Sequence, residues 1–154
     1  MKNRSRFLAI SLIVFLSIGL FFAVTGYLQA AEDQQAGKKE MMEGAQKMMN
    51  GNKMIMDAAA KKGLKSVDLT EAGQMMTEGY NMVTKGESMM TGSTVAEGKY
   101  MMKKGAKMML DAQIATAAAV EKMGPEMSSV CSIGLETCMA ASKNIKEDRA
   151  FWGD

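Results

Sequence analysis

Pairs of adjacent methionines recur along this chain with single glycines between them, and this repeat limits the fold more than any other feature. The pairs are Met41-Met42, Met48-Met49, Met75-Met76, Met89-Met90, Met101-Met102 and Met108-Met109. The glycines are Gly44, Gly51, Gly79, Gly86, Gly98 and Gly105. The surrounding sequence is rich in Ala, Lys, Glu and Gln and poor in β-branched and aromatic residues. That composition favours helices and offers little material for strands.

Residues three and four apart share one face of a helix, so the repeat predicts stripes of large and small side chains. One stripe contains Met41, Gly44, Met48, Gly51 and Ile55, and another contains Met75, Gly79, Met82, Gly86 and Met89. A helical glycine costs up to about 1 kcal/mol relative to alanine, so close helix packing must offset on the order of 5 kcal/mol for six of them. Because the spacing drifts between six and seven residues, we expect local irregularity rather than a long regular coiled coil.

Turn signals divide the chain into four helical segments, at about residues 32–62, 69–91, 95–123 and 126–148. The signals are Gly63 as a C-terminal cap, capping boxes at Asp68/Glu71 and Thr94/Glu97, and the stop Gly124-Pro125. Helices joined by such short connections alternate in direction. The predicted fold is therefore all-α, an antiparallel up-down bundle of four helices with Met/Gly-rich seams, forming one domain over residues 31–154.

The first 30 residues have the order of a secretory signal. A basic start is followed by the 18-residue apolar run Phe7–Val24 and a small-residue site ending at Ala30. The run is long enough that an uncleaved membrane anchor stays open as an alternative. We therefore expect an exported protein that is periplasmic, secreted or anchored by its N-terminus with the domain outside the cytoplasm, and that touches a membrane only through residues 7–28 if the signal is retained.

Composition excludes several classes of function. The chain has no histidine, so a His-dependent triad and His-ligated metal sites are ruled out. Three of its 19 basic residues lie in the signal, which leaves 16 against 17 acidic residues and no basic excess for nucleic acid. Its carboxylates stand beside lysines, as on an ordinary solvated helix face. We predict that the protein is not an enzyme.

Thioethers are ligands for Cu(I) and Ag(I), so an exported methionine-rich chain suggests a soft metal. Two ligands on one helix must stand three or four residues apart to share an ion, and in the first three segments no two methionines do. The exception follows the third segment, and its candidate ligands are Met123, Met127, Cys131, Cys138 and Met139. Buried core positions are the alternative interpretation of these residues.

The two cysteines suggest a disulfide in an exported chain. In a continuous helix, however, Cys131 and Cys138 would be about 10 Å apart, beyond the roughly 7 Å Cα limit for a bridge. An intramolecular disulfide and two free thiols both remain open.

Three functional hypotheses follow. The first is a non-enzymatic helical interaction or structural protein of the cell envelope, whose partner is an apolar helix or peptide or a second copy of the chain. The second is a Cu(I)/Ag(I) binding or buffering protein, with Cu(I) as its cofactor. The third is a methionine-based oxidant sink.

Overall fold

A computed structural model describes the backbone of residues 35–147 and the side chains of residues 35–143. This part of the chain contains four α-helices and no strand, which confirms the predicted all-α bundle. The helices are α1 (residues 35–61), α2 (Val67–Ser88), α3 (Val95–Lys122) and α4 (Pro125–Glu147), with a 3-10 turn at Gly92–Thr94. None of them is long and apolar enough to cross a membrane. The predicted signal or anchor, residues 1–30, lies outside the described residues.

In the connection from α1 to α2, the predicted end of α1 at Gly63 is confirmed and the predicted start of α2 is not. Gly63 follows α1 with a φ of 65°, in the left-handed region that glycine favours. The N-cap of α2, however, is Ser66 and not Asp68. Ser66 has an extended backbone, and its hydroxyl accepts a hydrogen bond from the Leu69 amide at 3.3 Å. The Asp68 carboxylate instead accepts a hydrogen bond from Lys122 at 2.7 Å. Because Ser66 is the N-cap, α2 begins at Val67, two residues before the predicted start.

The second predicted capping box is also wrong. Thr94 occupies the N-cap position of α3, but its side chain makes no capping hydrogen bond. Its hydroxyl lies 2.6 Å from the carbonyl oxygen of Met89 and 2.8 Å from that of Thr91. These carbonyls follow α2, which ends at Ser88 and is three residues shorter at this end than the sequence indicated. The Thr94 hydroxyl therefore pairs with carbonyl groups that follow α2 and not with an amide of α3.

The turn between α3 and α4 follows the sequence closely. Gly124 has a φ of 99°, in the region that glycine favours, and this residue forms the turn. Pro125 is the first residue of α4. Ser128 then donates its amide to the Gly124 carbonyl at 3.1 Å. Because proline lacks an amide hydrogen, it fits the first helical position, one residue before the expected start.

Helices α2 and α3 pack antiparallel through glycines that face each other. A Cβ atom at Gly86 would lie 2.6 Å from the Gly98 carbonyl oxygen, and a Cβ atom at Gly105 would lie 2.5 Å from the Gly79 carbonyl oxygen. Only glycine permits so close an approach. One pair leads to the other by seven residues along both helices, so these two pairs repeat after two helical turns.

Helices α1 and α4 form a second close pair. A Cβ atom at Gly51 would lie 2.8 Å from the Gly134 carbonyl oxygen, and a Cβ atom at Gly134 would lie 2.8 Å from the Gly51 carbonyl oxygen. The Sγ atom of Cys138 would also lie only 2.7 Å from a Cβ atom at Gly51. The methionine repeat did not predict Gly134 as a packing residue, because α4 contains no methionine pair.

The methionine pairs divide between the core and its margin, since adjacent residues diverge by about 100° around a helix. Five pairs each have one fully buried member: Met41, Met48, Met76, Met102 and Met109. The other member of each of these pairs is half-buried. Methionine therefore supplies most of the large side chains in the core.

The first predicted stripe, from Met41 to Ile55, is buried throughout. In α2 the buried stripe instead contains Met76 and Val83 together with the glycines. The predicted Met75, Met82 and Met89 are only half-buried. At the first two of these positions the residue that enters the core is the next one along the chain, Met76 after Met75 and Val83 after Met82.

The contacts between α1 and α2 are made by longer side chains than those of the glycine pairs. The Tyr80 hydroxyl donates a hydrogen bond to Gln46 Oε1, and Lys38 Nζ lies 3.4 Å from a carboxylate oxygen of Glu87. These contacts run antiparallel, as in the glycine pairs. The bundle therefore has two close sides, α1/α4 and α2/α3, and a more open side between α1 and α2.

Candidate functional site

The predicted soft-metal residues lie in three different environments. Met127 and Cys131 are buried in one apolar cluster, and half-buried Met123 packs against it. Cys138 is buried two turns further along α4, outside that cluster, and its thiol donates a hydrogen bond to the Met48 carbonyl oxygen at 3.4 Å. Met139 is 59% exposed. Three of the five sulfur side chains are thus brought together.

Both cysteines are free thiols, and burial makes both of them poor nucleophiles. Burial raises the pKa of the Cys131 thiol, and burial raises the pKa of the Cys138 thiol from 9.0 to about 11. The thiolate is the metal ligand and the nucleophile, so ionisation at neutral pH is disfavoured at both positions. Within the described residues, no three Cys, Asp or Glu side chains are grouped to hold a metal ion.

Two cavities lie along the open side of the bundle, between α1 and α2. One has a volume of about 710 Å³ and the other about 680 Å³. They share Met56, Thr70 and Gln74 as lining residues, so we treat them as one feature, the α1/α2 groove. It runs along α1 from Met49 to Ala60, roughly 17 Å at 1.5 Å per residue.

Asn52 lines the groove and forms a buried polar pair with Thr116 of α3. Asn52 is 4% exposed and Thr116 is 1% exposed. Thr116 donates its hydroxyl to Asn52 Oδ1 at 3.4 Å, a long hydrogen bond. Among the described residues, no group accepts a hydrogen bond from Asn52 Nδ2. Because an unpaired buried donor costs about 1–3 kcal/mol, this amide needs an acceptor in the groove.

The wall of the groove above this amide is a glycine, Gly73 of α2. A Cβ atom there would lie 3.7 Å from Asn52 Nδ2 and 3.5 Å from Met56 Sδ, which are ordinary contacts. Close helix packing therefore does not require glycine at this position, in contrast to Gly79 and Gly86. The missing side chain widens the groove over the open amide of Asn52.

The two rims of the groove carry opposite charges. Lys53 lines the α1 side, and Glu71 and Glu78 line the α2 side. None of these three makes an ion pair with another residue of the described range. Their charges are available to a bound partner.

The sequence analysis did not identify the groove. Asn52 lies inside a run of methionines and lysines, and nothing in its spacing shows that it enters the core. The available signal was Gly73, a glycine that stands outside the seven-residue series of Gly79 and Gly86 and therefore required a different explanation.

Comparison with known proteins finds no matching family model, no similar characterised protein and no similar solved structure.

Proposed function

We propose that this is a non-enzymatic helical interaction protein that works outside the cytoplasm and binds an apolar helix or peptide in the α1/α2 groove. The groove itself carries the proposal, because it is open, about as long as three helical turns and lined by the thioethers of Met49 and Met56. Methionine side chains are unbranched and polarizable, so they adapt to different apolar partners. A groove between two helices is a common receptor for the apolar face of a third helix.

The proposed location depends on residues 1–30 alone. Their basic start, apolar run and small-residue end have the order of an export signal. N-terminal sequencing of the protein from fractionated cells tests this part separately. A mature protein beginning at Ala31 outside the cytoplasm supports it, and a cytoplasmic protein contradicts it.

A synthetic amphipathic helix tests the groove. The probe is a 15-residue fluorescein-labelled peptide with Leu and Met on its apolar face, Glu on one flank and Lys on the other. We expect saturable binding by fluorescence anisotropy. The variant Gly73→Leu should weaken binding at least about tenfold, because its side chain fills the groove above Asn52.

The matched control is Ala118→Leu, which adds the same side chain to an exposed position of α3. This variant should bind like the parent. Absence of saturable binding to the parent, or equal binding by Gly73→Leu, would contradict the proposed function.

A soft-metal site is a second candidate, favoured by the shared cluster of Met123, Met127 and Cys131. Native mass spectrometry with Cu(I) supplied anaerobically tests it. One tightly bound ion that is lost in Met127→Leu/Cys131→Ser, with helicity retained, would support this function. Only nonspecific adducts on the parent would refute it.

A further inference from the structure

We infer that the α1/α2 groove selects partners that present a hydrogen-bond acceptor within an otherwise apolar helix face, and that Asn52 Nδ2 donates to this acceptor. The inference depends on the proposed function and specifies what the groove binds. The acceptor is a side-chain carbonyl or hydroxyl oxygen, since the backbone carbonyls in the middle of a helix are already paired.

The first step of the argument is the state of the Asn52 side chain. It is 96% buried, its Oδ1 atom faces Thr116, and its Nδ2 atom finds no acceptor among the described residues. A buried amide donor next to an open groove favours a ligand with an acceptor over one without, because an apolar ligand would seal the donor from water with nothing to pair it.

Gly73 supplies the second step. Its neighbours leave room for a Cβ atom, so the glycine is not explained by helix contact. Its effect is to leave space in the α2 wall directly over Asn52 Nδ2. Gly73 and Asn52 line the same cavity, so a partner side chain that enters it beside Gly73 reaches the amide.

The third step concerns the orientation of the partner. Lys53 lines one rim, and Glu71 and Glu78 line the other. An amphipathic helix with acidic residues on one flank and basic residues on the other is complementary to this groove in one direction only. The structure therefore favours a charge-split helix over a uniformly basic or acidic one.

Two peptides that differ at one position test the inference. Both are the 15-residue probe described above, and the central apolar position holds Gln in one and Met in the other. Glutamine and methionine have similar lengths, but only glutamine offers a strong acceptor. We expect the Gln peptide to bind the parent about five- to tenfold more tightly, the effect of one hydrogen bond to a buried donor.

The variant Asn52→Leu removes the amide at nearly constant volume, and it should bind the Gln peptide no more tightly than the Met peptide, because the glutamine then has no donor to pair with. If this variant fails to fold, the parent alone decides the question. In NMR spectra an Asn52 side-chain amide proton should move downfield with the Gln peptide, as a newly hydrogen-bonded donor does, and should not move downfield with the Met peptide. Equal binding of both peptides to the parent would overturn this inference and leave the proposed function standing. Absence of binding by either peptide would overturn both.

Discussion

At the scale of single residues, the glycines of α2 have two different environments. The Cα of Gly86 lies against the backbone of α3, and a Cβ atom there would come within 2.6 Å of the Gly98 carbonyl oxygen. Gly73 lies beside flexible side chains at ordinary contact distances. The same residue type therefore permits helix contact at one position and leaves a groove open at the other.

This difference predicts opposite effects for two alanine substitutions. Gly86→Ala should destabilise the protein, because overpacking against a backbone costs about 1–3 kcal/mol and outweighs the gain in helix propensity. Gly73→Ala should be neutral or stabilise by up to about 1 kcal/mol, since it gains helix propensity without a clash. Urea unfolding of both variants checks this. Equal midpoints would mean that the glycine pair of Gly86 and Gly98 is not closely packed.

Cys138 gives stability a dependence on alkaline pH. Burial raises the pKa of its thiol from 9.0 to about 11, so the folded state holds the proton more tightly than the unfolded state does. The stabilisation from the neutral thiol is fully present below pH 9 and is lost as the pH rises through about 11. Stability to urea should therefore fall across this interval.

The prediction is stated as a difference between parent and variant, so that only the ionisation of Cys138 is compared. Cys138→Ser keeps a donor for the Met48 carbonyl oxygen but does not ionise. The parent should lose more stability than Cys138→Ser between pH 9 and 11. Parallel curves for the two proteins would contradict the assignment of a buried, neutral thiol.

At the scale of the helices, α2 depends on a cap that the sequence did not identify. Ser66 accepts a hydrogen bond from the Leu69 amide, whereas Asp68, the predicted cap, lies in the first turn and pairs with Lys122. The Lys122 ammonium beside it holds the pKa of the Asp68 carboxyl below its usual range. Two short polar residues stand near this helix start, and only the structure shows which of them is the cap.

With Ser66 as the N-cap of α2, truncating Ser66 and truncating Glu71 of the predicted capping box should have different effects on stability. Ser66→Ala should cost about 1 kcal/mol, the usual value for loss of an N-cap side chain. Glu71→Ala should leave stability nearly unchanged, because Glu71 is exposed and makes no capping contact in the described structure. Thermal unfolding of both variants tests this. A larger loss from Glu71→Ala than from Ser66→Ala would restore the capping box predicted from Asp68 and Glu71.

Helix positions and type could be predicted because composition, glycine spacing and proline all indicate the same elements. The close packing of Gly51, Gly79 and Gly86 could also be predicted, since a repeated helical glycine has an energetic cost that needs a compensating contact. The α1/α2 groove could not be predicted from the sequence, because its position depends on which helices become neighbours in the bundle. The partner of Gly51 is Gly134, 83 residues away, and no local pattern encodes that distance.

At the scale of the whole molecule, the two glycine-paired sides bring helices close together and the methionines fill the space that remains. The buried residues form two apolar clusters, one around Met48 and Met102 and one around Ile55 and Met127. Asn52 and Thr116 lie between these clusters along their helices. The bundle therefore consists of two apolar layers with a polar pair between them, and the α1/α2 groove opens at that polar level.

This architecture makes methionine oxidation a measure of opening of the whole bundle. Met139 is 59% exposed and Met54 is 45% exposed, whereas Met76 and Met109 are fully buried. Dilute hydrogen peroxide should convert Met139 and Met54 to sulfoxides first. Met76 and Met109 should oxidise only when the bundle unfolds, so their rates should rise together as urea is added. Peptide mass spectrometry of timed samples gives each rate. Oxidation of Met76 as fast as that of Met139 in the absence of urea would show that the core admits oxidant, and would favour the oxidant-sink hypothesis over a closed interaction scaffold.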